Sequence, residues 1–234
     1  KLFIIIRMFL YWPVVFLISR VTQELIPINY DKHIMSNIIT RFIHGLGCSY
    51  YLLPALKNQE ILMLDVNSIN IPSDIQFVLT RSANFFIWDT ISLLLSSEEN
   101  KLMFSLHHLI CSLCISYSLY FEINWYFVSV ALFIGELTNP ITQISDLCLL
   151  FNYYNIRIEK FYFASMLLIR GIISPCLIIM TNYNLLFLYG IYGSEILYNR
   201  SLLLNYFTLI SITAPSIDWL NNKYGEIIDE IKNN

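Results

Sequence analysis

Mostly apolar stretches, each close to the length of a membrane span, recur along this whole chain and leave few folds open to it. Crossing the roughly 30 Å hydrocarbon core of a bilayer takes about 20 such residues in a helix. Seven stretches approach that length: Leu2–Ser19, about Asn37–Ala55, about Ile75–Leu95, Leu102–Phe121, about Trp125–Leu150, about Phe161–Met180 and about Leu202–Leu220. Lipid offers a bare peptide group no partner, so each stretch is expected to be a helix. Composition agrees. Of 234 residues 56% are hydrophobic and 13% charged, against about 25% charged in a soluble domain. Too few polar side chains remain to cover a soluble surface. The expectation is an all-α, polytopic transmembrane helical bundle of about seven spans. It divides into a first helix and loop (1–36), a six-helix membrane domain (37–220) and a short tail (221–234). The apolar piece Tyr183–Tyr198 contains Gly190 and Gly193 and reads as a re-entrant or interfacial segment, with an eighth span as the alternative.

Several classes fall away. The net charge is −3 and no Lys/Arg stripe runs along any segment, so nucleic acid is not an expected partner. Cys48, Cys111, Cys114, Cys148 and Cys176 are odd in number and lie inside the apolar stretches, which argues against a disulfide framework. Leu2–Ser19 lacks a small-residue cleavage site, so it reads as a span and not as a signal peptide. Lys and Arg in the loops set the orientation. Arg20, Lys32, Lys101, Arg157, Lys160, Lys223 and Lys232 fall on one side, and Lys1, Lys57 and Arg200 on the other. The C-terminus is therefore expected in the cytosol. The sequon Asn199-Arg200-Ser201 then falls on the lumenal side, where such sites are glycosylated.

The ionisable residues inside the stretches are the functional candidates, because charge at mid-bilayer is costly and usually faces the bundle interior. His107 and His108 open the fourth stretch; His107 shares a helix face with Cys111 and Cys114, His108 with Ser105 and Ser112. An imidazole there suits a general base, or a nucleophile that accepts an acyl group. Glu136, Asn139, Gln143 and Asp146 are spaced 3, 4 and 3 apart and form one polar stripe, interrupted by Pro140. Asp89 and Arg81 lie in the third stretch, Arg41 and His44 in the second, Arg170 in the sixth. Arg170 or Arg81 is expected to pair with Asp89 or Glu136. The competing reading throughout is a polar seam that only fixes helix register. A metal bound by His107, Cys111 and Cys114 with a neighbouring carboxylate is a further, weaker alternative.

Taken in order, Arg41-x-x-His44, Ser82–Asp89 (SANFFIWD), His107-His108, Glu136–Pro140 (ELTNP) and Arg170 with Pro175 resemble the TLC-domain family, the multi-span lipid-handling proteins that include the ceramide synthases. The resemblance covers about Asn37 to Leu220. It is closer to the small TLC-domain-containing proteins than to true ceramide synthases, which carry an Asp-x-x-Asp pair where this chain has Glu136 and Asn139. The resemblance implies membrane-lipid homeostasis or sphingolipid synthesis in the endoplasmic reticulum or another internal membrane. In the enzymatic alternative the protein transfers an acyl group to an amine, with acyl-CoA as co-substrate and no tightly bound cofactor or metal. His107, His108, Asp89 and Glu136 are then the expected catalytic residues. His44, Trp88, Asn139, Gln143 and Arg170 are the expected contacts to a membrane lipid or acyl chain. A non-catalytic lipid-binding protein is the second alternative and a transporter the third. Oligomeric state is left open.

Overall fold

A computed structural model describes residues 2–24, 31–58, 71–98, 101–153 and 155–176, with isolated positions 179, 207, 216–217 and 224–225. Every element among them is helical: α1 (Leu2–Glu24), α2 (Lys32–Asn58), α3 (Ser73–Leu94), α4 (Lys101–Phe121), α5 (Trp125–Leu137), α6 (Asn139–Leu150) and α7 (Ile156–Met166), which runs on as a π-helical segment, Leu167–Ile173. Helices α1 to α4 coincide with the first four apolar stretches. The fifth stretch folds as two helices, α5 and α6. The seventh stretch, the Tyr183–Tyr198 piece and the sequon lie outside the described residues. Among the described residues two helical runs are long and apolar enough to cross a membrane, Lys101–Phe121 and the α5–α6 run Trp125–Leu150. At 1.5 Å per residue α2, with 27 residues, reaches about 40 Å.

Large apolar side chains stand on the outside of the bundle, and polar ones are buried beside its apolar core. On α1, Leu17, Ile18 and Val21 face outward, and on α4, Leu102, Leu106 and Leu113 do the same. The interior instead takes Ser36, Asn37, Thr40 and His44 from α2, Ser82, Asp89 and Ser92 from α3, and Ser105, Ser112 and Ser118 from α4. Water would favour the opposite arrangement; a hydrocarbon surround favours this one. Many of the buried hydroxyls satisfy themselves within a helix, as Thr40 does on the Ser36 carbonyl and Ser129 on that of Trp125. Others tie helices together: Ser112 donates to the Ala83 carbonyl at 3.1 Å and Trp12 Nε1 to the Arg81 carbonyl at 3.1 Å.

Apolar packing concentrates at one end. Leu52 late in α2, Ile75 and Leu79 early in α3, Ile115 late in α4 and Trp125 early in α5 belong to one cluster. The opposite end of the bundle, where α2 and α4 begin and α3 ends, is the polar one. Helix α2 runs between them as the hub, packing on α1, α3, α5 and α6. Asp31 caps its start, its carboxylate accepting from the His33 and Ile34 N–H groups at 2.8 and 3.2 Å. Helix α6 ends in a Schellman turn, with Asn152 in the left-handed region (φ 53°) and Tyr153 N–H returning to the Cys148 carbonyl.

The junction between α5 and α6 follows from Pro140. Proline has no N–H, so the Glu136 carbonyl loses its donor one turn ahead and the helix breaks at Thr138. Gly45 lets α2 come against this break. A Cβ added at Gly45 would sit 3.0 Å from Asn139 Cβ and from Pro140 Cδ, and 3.1 Å from the Glu136 carbonyl oxygen, whereas one at Gly47 meets nothing within 4 Å. Gly45→Ala is therefore expected to lower stability by about 1–3 kcal/mol, as overpacking does, and Gly45→Val by more. Gly47→Ala is expected to leave stability level or slightly raised, by helix propensity. Thermal unfolding of the detergent-purified chain checks the contrast.

Candidate functional site

A cavity of about 290 Å³ opens between α4, the α5–α6 run and α7, with Arg41 of α2, Phe85 and Phe86 of α3, and Glu98 also in its wall. One part of the wall is polar: Arg41, Glu98, His107, His108, Glu136 and Gln143, with Asn139, Asp146 and Arg170. The rest is apolar, from Cys114, Ile115, Val128, Ala131, Leu132 and Met166. Its volume lies near the lower end of the roughly 300–1,000 Å³ typical of ligand sites.

The first polar cluster is built on Asp89, which is 1% exposed. Arg41 Nε lies 3.1 Å from both Asp89 carboxylate oxygens, and His108 Nδ1 lies 2.9 Å from Oδ2. The same guanidinium reaches Glu98, Nη1 to Oε2 at 2.9 Å and Nη2 to Oε1 at 3.3 Å. Asn37 Nδ2 also donates to Glu98 Oε1, at 2.7 Å, and its own carbonyl accepts from Ser92 Oγ at 2.6 Å. Arg41 of α2 thus joins α3 and the turn after it on one cation, and α4 is added through the His108 contact to Asp89. His108 touches the buried carboxylate through Nδ1 and also lines the cavity, so a titratable ring stands between the two. The His107 ring lies beside it, centroids 5.1 Å apart.

The second cluster sits at the helix break. Asn139 Nδ2 donates to Glu136 Oε2 at 2.8 Å, and Asn139 Oδ1 accepts from Arg170 Nη2 at 3.1 Å. Arg170 also donates from Nη2 to the Gly135 carbonyl at 2.6 Å and from Nε to Thr138 Oγ1 at 2.9 Å. It rises from the π-helical segment, a distortion that often accompanies a function. The amide in place of a second acid therefore bridges a carboxylate and a guanidinium.

This geometry keeps the expected association of Arg170 with Glu136, as a bridge through Asn139, and corrects the expected partner of Asp89. Asp89 takes Arg41, and Arg170 reaches Glu136 through Asn139. Arg81 lies over the Tyr11 ring at 4.0 Å and the Trp12 ring at 5.0 Å. Eight residues along α3, about 12 Å, separate it from Asp89. Of the expected site residues, His107, His108, Glu136, Asn139, Gln143 and Arg170 line the cavity together. Asp89 stands behind His108, outside the lining. His44 is stacked on Phe85 with ring centroids 3.7 Å apart, and its Nε2 lies 3.6 Å from Glu136 Oε2, so it backs Glu136 from behind. Trp88 faces α1, with its ring 5.7 Å from that of Phe16. Neither His44 nor Trp88 is placed to touch a ligand in this cavity.

Two acids escaped the sequence reading. Glu98 follows two serines in what reads as a solvated turn, and Glu159 looks like a surface residue at the start of α7. Glu159 is buried and accepts from Ser145 Oγ. Among the described residues no three His, Cys, Asp or Glu side chains converge to hold a metal, so the His107/Cys111/Cys114 alternative is not assembled.

Exposed apolar side chains around a bundle with buried ion pairs and a cavity that is polar on one side and apolar on the other point to a membrane protein with an amphipathic interior. Residues 34–214, more than three quarters of the chain, match the family model of the TLC domain. The chain belongs to the TLC-domain family and is accordingly an integral membrane protein connected with lipid. No curated protein and no solved structure matches it.

Removing Arg41 would leave Asp89 and Glu98 without their shared cation. Arg41→Met is expected to destabilise by about 3–5 kcal/mol, the range for one partner lost from a buried ion pair. Adding Glu98→Gln to it is expected to recover part of that loss. A double-mutant cycle in thermal stability reads the recovery; strict additivity would show that the two residues do not interact.

Proposed function

We propose that this protein is an acyltransferase that joins an acyl group from acyl-CoA to the amine of a membrane lipid, within a bundle of seven spans. One observation carries the reading: the wall of the cavity presents a histidine, His108, whose Nδ1 lies 2.9 Å from a buried carboxylate, Asp89, that is itself held by Arg41. In this reaction His108 Nε2 takes the proton from the attacking amine. The nitrogen forms its bond to the thioester carbonyl, the C–S bond breaks, and the proton passes to the departing thiolate. Asp89 steadies the imidazolium. The Arg170 cation stabilises negative charge growing on the carbonyl oxygen. The apolar wall takes the chain. His107 lies six residues, about 9 Å, from the start of α4. The Lys/Arg bias places that helix end on the cytosolic side, where CoA thioesters are found. The same bias supports a cytosolic C-terminus and residence in the endoplasmic reticulum or another internal membrane.

The second reading is a lipid-binding protein without turnover. It is favoured by the Glu136–Asn139–Arg170 bridge, whose members are engaged with one another as a structural grip would be.

Purified chain supplied with acyl-CoA and a long-chain amino alcohol separates the two. Turnover is expected, with His108→Ala and Asp89→Asn lowering kcat by about 10²–10⁴-fold, the usual worth of a general base. Lipid that co-purifies in wild type and variants, with no turnover in any, would favour binding alone. Full activity in His108→Ala would sink the transfer mechanism.

A further inference from the structure

Two histidines of this bundle are followed four residues later by a cysteine, His44 and Cys48 on α2, His107 and Cys111 on α4. The helical repeat gives both pairs nearly the same geometry. Cys48 Sγ lies 3.7 and 3.6 Å from the two ring nitrogens of His44, and Cys111 Sγ 3.7 and 3.9 Å from those of His107. Their surroundings differ. Cys48 is 3% exposed and in contact with Ser82 Oγ at 3.2 Å, and the His44 ring is covered by Phe85. Neither residue lines the large cavity. Cys111 and His107 both line it, and the Arg170 guanidinium is part of the same wall. A thiol beside an imidazole, with a cation near, is the setting in which sulfur becomes a nucleophile. The proposed transfer uses His108 and leaves this second pair unemployed.

We propose that Cys111 is a self-acylation site, taking the acyl group from a fatty acyl thioester bound in the cavity. Cys111 Sγ attacks the thioester carbonyl. A new C–S bond forms to Cys111 as the C–S bond to the donor thiol breaks. The thiol proton passes to His107 and from there to the departing thiolate. One thioester replaces another, and nothing is oxidised or reduced. The inference rests on the reading of the cavity as an acyl-thioester site and names a covalent step at it. Cys48, with the same histidine geometry and no access to the cavity, is the built-in control. Cys114, three residues further along α4 and 6% exposed, tests whether lining the cavity is enough without the histidine.

The full-length chain in nanodiscs is incubated with a fatty acyl-CoA bearing a terminal alkyne, and the protein-bound label is read by in-gel fluorescence and peptide mass spectrometry. Label on the Cys111 peptide, released by neutral hydroxylamine as a thioester is, is the expected result. Cys111→Ser is expected to lose it, while Cys48→Ser keeps it, and no label is expected on Cys114. His107→Gln is expected to slow labelling by about a hundredfold, within the range of a lost general base, and to flatten its rise with pH. Matching size-exclusion profiles and melting temperatures establish that the variants fold. A label unchanged in Cys111→Ser, or stable to hydroxylamine, overturns the inference. Transfer to an amine without any label on Cys111 overturns it and leaves the transfer reading standing. Label on Cys111 with no transfer to any amine upholds it and removes the transfer reading. Neither label nor transfer removes both.

Discussion

Asp89 is a carboxylate enclosed by a bundle whose outside is hydrocarbon-like, and the polar half of the molecule is organised around that fact. A charge removed from water is costly unless it is paired and its remaining lone pairs are bonded. Arg41 supplies the pairing and His108 the remaining contact on Oδ2. Arg41 in turn has donors left over, and Glu98 accepts them. Glu98 then draws in Asn37, and Asn37 draws in Ser92. Each partner is recruited because the previous one would otherwise leave a buried polar atom unpaired. The chain of recruitment passes through α2, α3, the turn after α3 and α4. It locks the end of the bundle at which the cavity's polar groups lie. The orientation of His108 is thus a by-product of solving a desolvation problem, and it costs no separate scaffold.

The second constraint is the missing N–H of Pro140. An uninterrupted helix would bury its carbonyls in its own ladder. The break at Thr138 instead offers the Gly135 carbonyl and the Thr138 hydroxyl to Arg170. A guanidinium can then be held in the interior, with the Glu136 carboxyl group reached through Asn139. The fit of α2 against this break depends on a hydrogen atom at Gly45 in place of a methyl group. Break and glycine are complementary: without the close approach of α2, His44 would not come within 3.6 Å of Glu136.

Much of this was legible in the sequence, for physical reasons that also mark where legibility ends. Apolar length announces a helix in lipid almost unaided, because lipid leaves the backbone one local solution. The 3-4-3 spacing from Glu136 to Asp146 placed four polar residues on one face, and all four line the cavity despite the break between them. Helical periodicity survives such a kink when both halves keep the same side toward the protein. The TLC-domain motifs named the right family from pieces that are individually weak. The partner of Asp89 was not legible. Which arginine meets which carboxylate depends on the relative heights of neighbouring helices, and no periodicity within one helix encodes that. Arg41 and Asp89 sit at matching levels on α2 and α3; Arg81 does not. Trp88 belongs to the same sequence block as Asp89, yet adjacent positions on a helix point about 100° apart, so the block spans the cavity side and the α1 side at once. Glu98 was hidden because a turn and a buried acid look alike in sequence when the turn folds back under its own helix end.

Asn139 bears on what kind of chemistry the cavity can support. Two carboxylates at one site share protons and drive each other's acidity apart, which is how paired acids divide the labour of acid and base. An amide cannot enter that exchange. Here it presents its N–H to Glu136 and its carbonyl to Arg170, which orders the three groups in a line and fixes the amide's orientation. In the proposed transfer the imidazole carries the proton, and Asn139 holds Glu136 and Arg170 in position. A single oriented base suffices for attack by an amine on a thioester, because thiolate is a good leaving group and needs little help from an acid. In the proposed transfer Asn139 is thus a positioning group, and the thioester supplies the activation that a second acid would otherwise provide.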